Sequence, residues 1–241
     1  MFILAIETTG PHCSCALADE QGKIKEIVSE GELKHLQSLT PMIKELMGDI
    51  GFEQISDIAV SAGPGSFTGI RIGVTTARAL SQATGVPLVS VPTLFAFGAD
   101  EEAEDDVTVC PVFNARRNQI YGGAYLEGEE VIPAGAYDLD EFLDMLSGSR
   151  FRFIGDGVGA YGEAVDRWAS GEDADVSFST KDQRASGVAR MALRMKKDPD
   201  AFPGRTGLSY NQLEPEYMRK AEAQRKLEAQ RKAQADPEDR K

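Results

Sequence analysis

Histidine is almost missing from this chain of 241 residues: His12 and His35 are its only two, and the position one helical turn beyond His35 is Leu39. The sequence therefore has no helical pair of imidazoles for a catalytic metal. Cysteine is nearly as scarce, with Cys13, Cys15 and Cys110 only. An odd count, with two of the three in one short stretch, makes no disulfide framework and fits a reducing compartment. No window approaches the ~18 apolar residues of a membrane span, and Met1 to Ile6 runs into apolar residues without a basic leader, which predicts a cytoplasmic chain. Positive charge is short too. The 26 Lys and Arg face 39 Asp and Glu, for a net charge of −13, which argues against broad, non-specific RNA binding, because phosphate contacts need local Lys and Arg density. No Ser, Cys and His constellation points to covalent catalysis.

What remains is an apolar fraction of 41%, enough to bury a large core or two compact ones. Phe2 to Ile6 reads as a buried strand, and Ser14–Asp19 with Ile24–Val28 as a hairpin around Glu20-Gln21-Gly22. A helix follows over Lys34–Met47, with Leu36, Leu39, Met42, Ile43, Leu46 and Met47 on one arc. Ile55–Ala62 is a strand, Gly63–Gly69 a loop, Ile70–Thr84 a helix and Pro87–Val91 a strand. Three meandering strands followed by helix, strand, helix and strand predict a ribonuclease H-like lobe over residues 1–99. The acidic run 100–106 reads as a connection. Residues 107–218 repeat the order more raggedly: strands at Val107–Phe113, Gln119–Leu126 and Phe151–Ile154, and helices at Asp138–Leu146, Ala160–Trp168 and Ser186–Met195. The expected architecture is α/β, two ribonuclease H-like lobes of the actin/Hsp70/sugar kinase (ASKHA) superfamily. Residues 219–241 carry eight Lys or Arg and five Asp or Glu, and read as a charged helical or disordered tail.

Gly63-Pro64-Gly65-Ser66-Phe67-Thr68-Gly69 joins a strand to a helix. Its glycines permit close approach of another molecule, and the helix behind it offers unpaired N–H groups to an anion or a partner. It lacks the Lys-Ser/Thr ending of a Walker loop. Arg71, Thr75, Arg78 and Gln82 follow as one polar stripe able to grip an acidic partner or a phosphate, or to face water. Glu7-Thr8-Thr9 ends the first strand with a single carboxylate. Gly155-Asp156-Gly157-Val158-Gly159 is either a ligand loop or a plain turn. His35 reads as a packing or interface residue, and Cys13 and Cys15 as core.

Taken together, Leu4-Ala5-Ile6-Glu7-Thr8-Thr9, the 35–46 stretch, the glycine loop with Ile70-Arg71-Ile72-Gly73, Ala115-Arg116-Arg117 before Tyr121, and Glu214-Pro215-Glu216-Tyr217-Met218-Arg219 resemble the TsaB family. These are actin-like subunits of the bacterial machinery that makes threonylcarbamoyladenosine beside the anticodon of tRNA. Glu7 and Asn114 depart from the family, which usually has Asp at both places. The resemblance implies a non-catalytic scaffold and activator that pairs with TsaD and with TsaE, a P-loop ATPase, or with a second copy of itself when alone, and that meets tRNA mainly through the complex. It implies no cofactor held tightly by the isolated chain, with ATP or ADP and metal on partner subunits or at a shared interface. His35, Leu36, Leu39, Met42, Ile43, Leu46, Arg71, Thr75 and Arg78 become the expected partner interface, and Gly63, Gly65, Ser66, Phe67, Thr68 and Gly69 the phosphate or partner loop. The competing readings are an ATP-dependent kinase-like enzyme and a metallopeptidase-like protein.

Overall fold

A computed structural model describes residues 1–31, 34–100 and 104–218, so the charged segment 219–241 and part of the acidic run 100–106 lie outside the described residues. β1 (Phe2–Glu7) is apolar up to its last residue and almost wholly buried, the pattern of a central strand covered on both faces. It pairs antiparallel with β2 (Ser14–Asp19), Ile6 opposite Cys15, and parallel with β4 (Ile55–Gly63), Leu4 beside Ile58. β3 (Ile24–Val28) and β5 (Leu88–Pro92) complete the order β3-β2-β1-β4-β5. The two crossovers are α1 (His35–Met47) and α2 (Phe67–Thr84). Both bury their apolar stripes on one face of this sheet, Leu39, Ile43 and Leu46 from α1 beside Ile70, Val74 and Ala77 from α2.

The second sheet repeats the plan. β6 (Thr108–Asn114) is its centre, antiparallel to β7 (Gln119–Leu126) and parallel to β9 (Arg150–Ile154). β8 (Glu129–Asp138) and β10 (Asp175–Ser179) form the edges, in the order β10-β9-β6-β7-β8. α4 (Leu139–Asp144), capped by the Asp138 carboxylate accepting from the Asp140 N–H, and α5 (Gly157–Glu172) close one face with Phe142, Leu143 and Val165. Two ribonuclease H-like lobes are the result, as the order of strands and helices predicts.

Two helices tie the lobes together. α3 (Thr93–Asp100) follows the last strand of the first sheet, yet Leu94 and Phe97 pack with Val109, Phe113 and Ile154 of the second. α6 (Ala185–Lys197) follows the last strand of the second sheet and returns to the first, laying Val188, Ala189, Met191, Ala192 and Met195 on Ile3, Ala5, Ala16 and Val89. The 107–218 stretch thus contributes a layer to the sheet built by residues 2–92. Periodicity locates α6 but is silent on the sheet it covers. Further differences are local: α2 begins at Phe67, because Ser66 caps it, accepting from the Gly69 N–H at 3.3 Å. Both α3 and β10 escape the sequence reading, α3 being a short uncapped apolar run and β10 (Asp-Val-Ser-Phe-Ser) an exposed edge.

Because α6 completes the first sheet, Met195→Ala, at a fully buried site, is expected to destabilise the protein by about 2–5 kcal/mol in urea unfolding. Lys197→Ala, on the exposed face of the same helix, is expected to change it by less than about 0.5 kcal/mol.

Candidate functional site

The ends of β1 and β4 and the start of α2 meet at one place. Glu7 is buried there, with Oε1 accepting from the Thr9 N–H and from the Thr9 hydroxyl at 2.6 Å, and Oε2 accepting from the Ser61 hydroxyl. Burial pushes the Glu7 carboxyl above its ordinary range, and the bonds from Ser61 and Thr9 pull the other way. Thr8 and Thr9 fill the space that the glycine loop leaves. The Thr8 hydroxyl donates to the Gly69 carbonyl at 2.8 Å, and the Ser66 N–H donates to the Thr9 carbonyl at 2.8 Å.

The glycines are required by this approach. A Cβ on Gly69 would run into the Thr8 carbonyl oxygen, one on Gly73 into the Thr8 hydroxyl, and one on Gly65 would lie 2.6 Å from the Thr9 Cβ. Gly63, at φ 131° and joined to Pro64 by a cis peptide, sits against the Glu216 carbonyl. The Glu216 N–H in turn donates to the Ala62 carbonyl at 2.7 Å. Gly63, Gly65 and Gly69 therefore accommodate the chain's own backbone and threonines. The side of the loop toward which a Cβ would point is thus taken by Thr8, Thr9 and the Glu216 backbone.

At the loop's outer edge Phe67 stacks on Tyr217 with ring centroids 4.7 Å apart, and the Arg71 guanidinium lies 4.2 Å from the Phe67 centroid while its Nε–H donates to the Tyr217 hydroxyl at 3.0 Å. Phe67 is half-buried, and Thr68, Arg71 and Thr75 are exposed. Arg78 is partly covered and Gln82 exposed.

The apolar arc of α1 has a different fate. Leu39, Met42, Ile43 and Leu46 are buried in the first lobe's own core, so the expectation that they face a partner is corrected. Covering the sheet already removes them from water, at roughly 1.5–3 kcal/mol for each large side chain. Leu36 alone of the arc stands out, 79% exposed. His35 is buried, its Nε2 paired with the Gly10 carbonyl at 2.9 Å.

The segment between β10 and α6 closes over the end of β1. Gln183 covers Gly10 and donates to the Thr9 hydroxyl at 3.4 Å, and Asp182 pairs with His12 Nδ1 at 2.7 Å. Gly155 and Gly157 resolve as a turn, since a Cβ on either would lie 2.7 Å from the Val112 carbonyl. Asp156 accepts from the Asn114 N–H at 3.0 Å, and burial, with Asp182 nearby, raises its carboxyl. Cys13, Cys15 and Cys110 are free and buried, and burial pushes the Cys15 thiol up to about 12. Among the described residues no group of three or more His, Cys, Asp or Glu is placed to hold a metal ion, and no helix is long and apolar enough to cross a membrane. Sequence reasoning missed the roles of Thr8, Thr9 and Glu216 as the fillers of the loop. Glu7-Thr8-Thr9 stands out as the polar end of the first strand and the resemblance picks out the Glu216 segment, but no periodicity signals that they meet.

The sequence model of TsaD, tRNA N6-adenosine threonylcarbamoyltransferase, matches residues 26–223. The tRNA threonylcarbamoyladenosine biosynthesis protein TsaB of Bacillus subtilis is 34% identical over 152 residues, 61% of this chain and 66% of that protein. Its counterpart in Haemophilus influenzae is 26% identical over 186 residues, 71% of this chain and 78% of that one. The chain thus spans just under two thirds of the first of these relatives. The solved structure of YeaZ from Pseudomonas aeruginosa superposes with a TM-score of 0.70 at 22% identity, covering 90% of this chain and 100% of that one, and shares the fold. With 198 consecutive residues under one family model, the glycine loop and the two-lobed architecture included, the chain belongs to the tRNA N6-adenosine threonylcarbamoyltransferase (TsaD) family and is one of its TsaB-like, or YeaZ-like, members.

Proposed function

We propose that this chain is a non-catalytic accessory subunit that pairs with a TsaD-type protein, and with a TsaE-type ATPase, in the transfer of threonylcarbamoyl to the adenosine beside the tRNA anticodon. The observation that carries this reading is that the groups suited to cradle a phosphate are committed to one another. Glu7 bonds Thr9 and Ser61, and the glycines of the loop hold Thr8, Thr9 and the Glu216 backbone. A loop already filled by its own chain supports a rigid turn rather than an ATP cradle. ATP or ADP, and any metal, then belong to partner subunits or to a shared interface.

The surface left for pairing is the outer side of α1 and α2. Leu36 is a large apolar side chain held in water, and Arg71 and Thr75 stand exposed on the adjacent helix. A partner that covers the leucine and brings a carboxylate to the arginine fits this face, as does a second copy of the chain when no partner is present.

Reconstitution tests the role: tRNA threonylcarbamoylation by the other components is expected to rise when this chain is added, and equal rates with and without it would overturn the proposal. Calorimetry of the isolated chain with ATP and Mg²⁺ is expected to show no tight binding, the opposite of what a kinase-like enzyme would give. The double variant Leu36→Glu with Arg71→Glu is expected to weaken partner binding about tenfold or more with the fold intact, read by sedimentation. Gly69→Ala is expected to lower stability by about 1–3 kcal/mol through overpacking against Thr8, whereas Gly171→Ala, on open helix surface, is expected to raise it slightly. Thermal unfolding separates the two.

A further inference from the structure

The turn between β6 and β7 has an unusual backbone held by several hydrogen bonds. Arg116, Arg117 and Asn118 are three consecutive non-glycine residues in the left-handed region, at φ 63°, 57° and 59°, a conformation that costs on the order of 1 kcal/mol or more per residue and persists only where the surroundings enforce it. Here they do. The Asn114 side chain accepts from the Arg116 N–H at 2.8 Å and from the Tyr161 hydroxyl at 3.1 Å. The Ala115 N–H donates to the Gln119 carbonyl at 3.0 Å, and the Asn118 carbonyl accepts from the Leu139 N–H at 3.0 Å.

The enforced shape displays positive charge. Arg116 and Arg117 are both exposed. Arg150, Arg194 and Arg205 are each held by carboxylates, but neither turn arginine has an ion pair among the described residues. Two carboxylates that bond the ends of this turn have other donors: Asp156 takes the Asn114 N–H, and Asp138 takes the Asp140 N–H and, at 3.4 Å, the Asn118 amide. Consecutive residues of one helical hand direct their N–H groups to one side, as a helix N-terminus does, and the N–H groups of Arg117 and Asn118 have no partner among the described residues. A turn that carries two exposed guanidiniums and two N–H groups without a partner among the described residues offers donors suited to the oxygens of a single phosphate group. In a chain of net charge −13 such a spot gives local contact without general affinity for polyanions.

We propose that the Arg116–Asn118 turn is a phosphate-binding site that grips the RNA backbone, so that this chain contributes a direct contact to the tRNA handled by the complex. The choice of RNA over a free nucleotide rests on the accessory role proposed above, and on the exposure of all three turn residues.

The test is tRNA binding by the full chain at low salt, followed by fluorescence anisotropy, for the wild type, for Arg116→Ala with Arg117→Ala, and for Arg167→Ala, which removes an exposed arginine from α5. The double variant is expected to bind about tenfold more weakly and to lower the slope of log K against log salt by about 1, while Arg167→Ala matches the wild type and all three unfold at the same temperature. Lys at both positions is expected to restore part of the affinity. Equal tRNA binding by the double variant and the wild type, no binding by the wild type, or loss of transferase pairing with tRNA affinity unchanged would each overturn the site, the last making the turn a protein contact. Competition by millimolar ATP as effective as by an equal concentration of RNA phosphate would overturn the choice of RNA. Failure of the accessory role has a separate signature: arginine-dependent tRNA binding by a chain that does not stimulate modification.

Discussion

The contact on which the rest of the first lobe depends is the approach of the end of β1 to the start of α2. Thr8 and Thr9 enter the space left by Gly65, Gly69 and Gly73, and the Thr8 hydroxyl and Thr9 carbonyl bond the loop directly. That distance of approach sets where α2 begins, how close it lies to β1 and β4, and which of its residues remain outside. It also explains a buried carboxylate with no cation beside it. Glu7 is tolerated because Thr9 and Ser61 supply its donors from the same junction. The close approach of the loop brings two strands and a helix together at this point.

A second constraint is the exchange of helices between lobes. α3 leaves the first sheet to cover the second, and α6 leaves the second to cover the first. Neither sheet has both faces covered without a helix from the far side of the chain. The lobes are thus coupled by core packing as well as by polar contacts such as His12 with Asp182. Lobes that share their cores in this way carry their outer helices on a common packed base.

Composition alone decided several matters. The scarcity of histidine removed a helical metal pair, the glycine string with no Walker lysine removed a P-loop, and alternation and helical spacing located most strands and helices. Ser14–Asp19, Ile24–Val28 and Gln119–Leu126 stand where their patterns place them. In the first lobe their sequence of meander, helix, strand, helix and strand pointed to a ribonuclease H-like sheet, because short connections and right-handed crossovers leave few topologies.

Tertiary structure alone decided how those elements are used. A stripe such as Leu39, Met42, Ile43 and Leu46 reads identically whether it faces its own sheet or another protein, since spacing records a face and not its neighbour. Packing assigned it to the core and left Leu36 outside. The glycines of 63–69 read as a place of close approach, and packing showed that the threonines after β1 make that approach from one side. Arg116 and Arg117 read as two charges on a turn until their left-handed backbone showed them held in place. In each case the sequence determined the local chemistry, and contacts between residues far apart in the chain determined what that chemistry meets.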